Sequence, residues 1–328
     1  MISNEKILSI IIPMYNVEKY IETCIESLTN QNLDNYEIII IDNGSSDKSY
    51  EICKSYSYKN KNIKLISQES GEPGQARNIG LNNATGKYIG FVDSDDYIYP
   101  HMFKKMIDVA ERDMADIVIC DFNKYYEDEN KCVTVKNSLR ENIIYKKEEI
   151  LKYYFTRELE AFAWNKIYRR ELFSNIRFDE GIFYEDIYPT YRLIQKAKVI
   201  VKVDEPLYIY RQRKNNITSS YSDKKRTDLD SVVLRVSNDY RNSEDFNDRL
   251  LEAFNISYMN LSLDLFIKKM NYSYKEIYRG FKEHYKDYCI PNLINVISNR
   301  YISKEMKIRY LLFKLRIIPI IKSIRNKK

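Results

Sequence analysis

Three carboxylates fall within four residues of Phe91–Asp96 (FVDSDD), at the end of a short apolar run. Acids packed that closely repel one another unless a cation or solvent screens them. Asp93 and Asp95, two residues apart, can reach one hard cation, and such an ion can bridge two phosphate oxygens. The same acids also suit a solvated turn in which an aspartate caps the helix that follows. A DxD pattern is common, so both readings stand until the neighbouring residues are weighed. Two other charged groups invite the same question. Glu185 and Asp186, in FYEDIYPTY, read plainly as acids at a helix N-terminus, where the helix dipole favours them. Arg211, Arg213 and Lys214, in YRQRKNNITSS, read plainly as a solvated basic turn.

The elements that must position these residues are legible over the first 120 positions. Ile7–Pro13 is an apolar run that reads as a buried strand, and Val17, Tyr20, Ile21, Cys24, Ile25 and Leu28 follow at helical spacing. Tyr36–Ile41 reads as a second strand, Ile63–Ile66 as a third, Tyr88–Val92 as a fourth and Ile117–Cys120 as a further one. Helices are expected around Ile52 and Tyr56, over Gly74–Ala84 and after Pro100. Strands alternating with helices imply an α/β fold whose parallel sheet is covered on both faces. In such sheets ligands bind beyond the carboxyl ends of the strands. Those ends carry Pro13, Met14, Tyr15 and Asn16, then Asp42, Asn43 and Gly44, then Gln68, then Asp93, Ser94 and Asp95. Six of the eight glycines lie between positions 44 and 90, which fits close backbone approach along that edge.

The composition closes off several classes. With 328 residues the chain can build a substantial core, and 44% apolar with 30% charged residues is ordinary for a globular protein. The five cysteines form no CxxC pair, which argues against a disulfide framework or zinc site and fits a reducing compartment. Two histidines exclude a His-rich metal centre. The uncharged run Ile7–Val17 is short of the roughly 18 residues a membrane span needs, and MISNEK does not open a signal peptide. The net charge of +6 is uneven: nine basic residues and one acid lie between Lys304 and Lys328, against 44 basic and 46 acidic residues elsewhere. A nucleic-acid partner is therefore not expected, because its basic patch belongs on the folded domain. No GxGxxG follows the first strand, which disfavours dinucleotide redox chemistry.

Taken in order, SIIIPMYNVEKYIETCIESL, YEIIIIDNGSSDKS, GEPGQARNIGLNNATGKYIGFVDSDD, Glu185-Asp186 and Tyr210-Arg211 resemble the family 2 glycosyltransferases, over roughly residues 7–220. The resemblance implies a GT-A fold, Rossmann-like with a mostly parallel sheet and helices on both faces, followed by a C-terminal helical region. It implies inverting transfer of a hexose or N-acetylhexosamine from a nucleotide sugar, a UDP-sugar, to an acceptor hydroxyl. Pro13 and Tyr15 would line the base pocket. Asp42, Asn43 and Gln68 would meet the pyrimidine, although the family carries a second acid where this chain has Asn43. Arg77 would pair with Asp93 or approach the nucleotide. Asp93, Ser94 and Asp95 would sit at the ribose and diphosphate, with Asp93 and Asp95 holding Mn²⁺ or Mg²⁺. Arg211 and Arg213 would face the leaving diphosphate. Asp186 would be the general base and Glu185 its support. Trp164 and Lys166 would contact acceptor or donor sugar, although a lone tryptophan is equally a core residue.

Three regions are expected: a catalytic domain over 1–225, a helical region over 226–303 serving the acceptor or an oligomer contact, and a basic amphipathic tail over 304–328. In that tail Ile308, Leu311, Leu312, Leu315 and Ile318 form an apolar stripe flanked by Lys and Arg, the pattern of a helix lying on an anionic membrane surface. A peripheral cytoplasmic location on the inner membrane face and a glycan or lipid-linked acceptor follow from that reading. Sugar transfer to a polyprenyl phosphate, and a non-catalytic nucleotide-sugar-binding protein on the same fold, are the alternatives.

Overall fold

The computed structural model describes residues 6–213, 222–268 and 292–315. Lys214 and positions 316–328 of the tail lie outside them. The chain divides into two compact units, Met1–Leu151 with Glu160–Lys214, and Lys152–Leu159 with Asn215–Lys328. One short segment near 155 thus groups with the helices.

In the sheet unit, β1 (Leu8–Met14), β2 (Tyr36–Asp42), β3 (Ile63–Ser67) and β4 (Tyr88–Phe91) pair in parallel in the order β3-β2-β1-β4. Their continuous apolar runs follow from helices on both faces. Ile38 and Ile40 turn toward the cluster built with α1 (Ile21–Thr29) and α4 (Met102–Asp113). Ile39 and Ile41 turn the other way, onto Ala76 of α3 (Pro73–Asn83). Each such buried isoleucine is worth roughly 1.5–3 kcal/mol relative to exposure. The remaining helix between these strands is α2 (Ser49–Lys59).

Beyond β4 the sheet is mixed. Among the described residues it has nine strands, continuing β4-β8-β6-β9-β5, with β7 on β6. These are β5 (Tyr97–Ile98), β6 (Ile117–Tyr126), β7 (Lys131–Val135), β8 (Lys166–Arg169) and β9 (Ile200–Gln212). The sequence reading missed β8, which runs antiparallel to both β4 and β6. Its reversed direction brings its first residue, Lys166, to the edge where β4 leads into Asp93. From β8 the chain passes to α6 (Ile187–Lys196), whose N-terminus carries Glu185 and Asp186.

In the second unit, α5 (Lys147–Phe155) contributes its C-terminal turn, where Phe155 packs on Tyr240 and Phe254. Tyr240 belongs to α7 (Asp223–Arg241) and Phe254 to α8 (Asp248–Lys268). Leu229, Val232, Val233 and Val236 form a buried face of α7. Among the described residues two shorter helices follow, α9 (Leu293–Ser298) and α10 (Lys304–Lys314), capped by Asn292 and Ser303, whose side chains accept backbone N–H bonds. α10 buries Tyr310 and Phe313 against Ile256, Met259 and Leu263, while Ile308 stays 50% exposed. The described part of the tail helix is docked mainly through Tyr310 and Phe313; of the expected stripe Leu312 packs against the same cluster, while Ile308 and Leu315 stay exposed. No helix among the described residues is long and apolar enough to cross a membrane.

Candidate active site

The site is built on α3. Pro73 opens that helix at its first position, where a missing N–H costs nothing. Gly74, Arg77 and Asn78 then share one face by helical spacing. A side chain at Gly74 would put its Cβ 2.0 Å from the Asp179 carbonyl oxygen, so only glycine lets the segment before α6 lie this close. Asn78 fixes that segment at both groups: its Nδ2 donates to Phe178 O at 3.0 Å and its Oδ1 accepts from Phe178 N at 2.9 Å. Arg77, between them, donates to Asp93 Oδ1 at 3.0 Å and Glu185 Oε1 at 2.5 Å, with its guanidinium over the Phe178 ring. One buried arginine thus joins two acids 92 positions apart, one after β4 and one before α6.

The turn after β4 is held from behind by Asp96, which sequence reasoning did not single out. Asp96 caps no helix; it is buried, and accepts from Tyr208 Oη at 2.7 Å and Arg211 N at 2.8 Å. Tyr208 Oη in turn accepts from Asp93 N at 3.1 Å. Asp95 pairs with Arg213, and Arg211 Nε donates to the Asp95 carbonyl at 3.0 Å. Tyr20 lies beside both guanidiniums, 5.0 Å from Arg211 and 4.8 Å from Arg213. Tyr208 could have been suspected only as a polar end on a buried strand; its partner lies 112 positions away.

Charge in this cluster is poorly compensated. Burial raises the Asp93 carboxyl, Arg77 opposes the shift, and Asp95 adds to it. Burial, with Asp95 and Asp93 close by, pushes Asp96 well above the usual carboxylate range. Asp186, partly buried, is lifted to about 7 by desolvation and by Glu185, against the pull of Arg77 and Lys166. It occupies the N-cap position of α6, yet its side chain makes no cap hydrogen bond. A carboxylate with that environment can exchange a proton near neutral pH.

Asp93 and Asp95 are hard oxygen donors, and the negative charge that lifts Asp93 is charge a divalent cation would relieve. The donor set therefore fits Mn²⁺ or Mg²⁺. Among the described residues no group of three or more His, Cys, Asp or Glu could enclose a metal, so donor oxygens and water would complete the shell.

The expected base pocket lies along the same edge. Pro13 is buried opposite Ile41, and Tyr15 is 58% exposed just past the end of β1. Asp42 accepts from Ser45 N at 3.2 Å and Ser67 Oγ at 3.3 Å. The Asn43 amide oxygen accepts from Gln68 Nε2 at 2.5 Å, so these two residues act as one unit. Gly44, at φ +77°, turns the chain where a Cβ would strike Glu69. Ser94 is buried in the turn.

Two expectations need correction. Trp164 is 4% exposed and packs near-parallel to Phe162 and Tyr208, at 4.7 and 4.2 Å, so it is a core residue with no face for a sugar ring. Lys166 does not present its ammonium outward. Its Nζ donates to Glu160 O, Phe162 O and Asn165 Oδ1 at 2.9, 2.6 and 2.7 Å, and burial lowers it to about 8 despite Asp186. Lys166 supports the loop beside Asp186 instead.

The α/β sheet, with a cluster of acids at its carboxyl edge, matches the GT-A class of fold. TarS 1–349 of S. aureus, in complex with UDP-GlcNAc, shares that fold with a TM-score of 0.71 at 21% identity, over 98% of this chain and 92% of that one. Residues 9–177 match the sequence profile of Glycosyl transferase family 2, and the chain belongs to that family. It is 40% identical to the uncharacterized glycosyltransferase EpsJ of Bacillus subtilis (strain 168) over 218 residues, 65% of this chain and 63% of EpsJ. It is 33% identical to the minor teichoic acid biosynthesis protein GgaA of the same organism, over 83% of this chain and 61% of GgaA. The matched stretch thus spans less than two thirds of the length of either relative.

Proposed function

We propose that the protein is an inverting, metal-dependent glycosyltransferase that moves a hexose or N-acetylhexosamine from a UDP-sugar to an acceptor hydroxyl. One observation carries the reading: Asp186 has a pKa near 7 and stands beside an arginine that also holds Asp93. A base poised near the operating pH is the best compromise between being ionised and being basic. Asp186 takes the acceptor proton as that oxygen attacks the anomeric carbon. The bond from carbon to the diphosphate oxygen breaks on the opposite face, and the nucleoside diphosphate leaves without a covalent intermediate. Arg77 keeps Glu185 and Asp93 in register, so base and donor pocket stay aligned. The charge of Arg211 and Arg213 favours the developing diphosphate charge. A cation held by Asp93 and Asp95 would supply further positive charge against that leaving group.

The nucleotide-sugar donor is supported by the TarS complex with UDP-GlcNAc, whose fold this chain shares. A bacterial surface-glycan acceptor, as a glycan or lipid-linked chain, is supported by the likeness to GgaA. The basic excess beyond Lys304 supports peripheral attachment to an anionic membrane. The test is Asp186→Asn. Turnover should fall about 10²–10⁴-fold while calorimetry still detects UDP binding. Near wild-type turnover refutes the assignment.

A further inference from the structure

The helical unit holds a cavity of about 350 Å³ between α8 and α10, within the size range of small-molecule sites. Its lining is polar. Asn260 of α8 is 5% exposed; its Nδ2 donates to Ile256 O at 2.9 Å, and its Oδ1 has no partner among the described residues. Arg309 of α10 is 9% exposed; its Nη2 pairs with Asp264 at 2.5 Å, and its Nε has no partner among the described residues. Leaving a buried polar atom unpaired costs about 1–3 kcal/mol, so such atoms call for a ligand or solvent. Here one orphan is an acceptor and the other a donor. Ser257, Ser303 and Tyr301 add hydroxyl groups to the same lining.

We propose that this cavity is a second binding site, which takes a neutral, hydroxyl-rich ligand of the saccharide or polyol class. A hydroxyl both donates and accepts, so neighbouring hydroxyls of one ligand can satisfy Asn260 Oδ1 and Arg309 Nε together. Charge argues for neutrality. Three acids and two arginines line the cavity, and Arg309 already has Asp264, so neither a multiply charged anion nor a cation meets a cradle of one sign. Nothing in this argument depends on the reaction assigned to the sheet unit.

The test is saturation-transfer NMR on the full chain with glucose, N-acetylglucosamine and ribitol as separate probes, and with inorganic phosphate followed by phosphorus relaxation. At least one neutral probe should bind, at roughly millimolar affinity. Saturating UDP should leave that binding unchanged. Asn260→Leu and Arg309→Lys should each weaken it by about tenfold or more. Thermal unfolding reports whether each variant folds; if Asn260→Leu does not, Arg309→Lys decides. The proposal is overturned if no neutral probe binds, if phosphate alone binds, if UDP displaces the probe, or if the folded variants bind as the wild type does.

Discussion

Ion pairs at the carboxyl edge of the sheet join residues far apart in sequence, whereas two pairs on α7 join residues one helical turn apart. Arg77 reaches Asp93 and Glu185, and Arg213 reaches Asp95. On α7, Lys224 pairs with Asp228 and Arg226 with Asp230, each at i,i+4. Pairs of the second kind add roughly 0.3–0.5 kcal/mol each to a helix. Those of the first kind bring acids to a buried edge, where desolvation lifts the Asp93 and Asp186 carboxyls, which costs stability. The edge carries a strain of charge, and chemistry is expected where that strain lies.

Breaking the long-range pairs should therefore hurt most. Arg77→Met leaves Asp93 and Glu185 without their shared cation. Stability should fall by about 3 kcal/mol in denaturant unfolding, and turnover by about 100-fold as the base shifts relative to the donor. A variant that unfolds like the wild type would show that the arginine bridges nothing of consequence.

Lys166→Met sharpens the contrast. Lys166 is one of two cations that hold Asp186 down, so its removal should move the pH–rate midpoint upward from about 7 and slow turnover at pH 7 by about threefold. Had Lys166 gripped sugar, KM would rise and the midpoint would stay.

The smallest effect belongs to the helical unit. Ile308→Ser should change stability by no more than about 0.5 kcal/mol, whereas Phe313→Ala on the same helix should cost about 3 kcal/mol. Equal losses in thermal unfolding would contradict the docked face of α10.

What could be read in advance follows the range of the forces. β1–β4 were legible because burial on both faces leaves unbroken apolar runs. The acids at 93, 95, 185 and 186 and the arginine at 77 stood out by type and by resemblance. β8 was not legible, because KIYR begins with a lysine that only its caged ammonium explains. The role of Asp96 was not legible, because its partner, Tyr208, is supplied by a distant strand. Trp164 could not be assigned from sequence, since the rings that cover it arrive from Phe162 and from β9. On α10 the basic flanks suggested a surface stripe, but packing selected Tyr310 and Phe313.

The most direct test of Asp186 as the base is kcat/KM as a function of pH, measured with donor saturating and acceptor limiting. Burial raises the Asp186 pKa above that of a free aspartate, so its ionised, active form should be lost as pH falls through about 7. Below that midpoint the rate should drop about tenfold per pH unit, and the step should vanish in the residual activity of Asp186→Asn. A rate that is flat between about pH 5 and 8, or a step that survives in Asp186→Asn, would contradict the assignment.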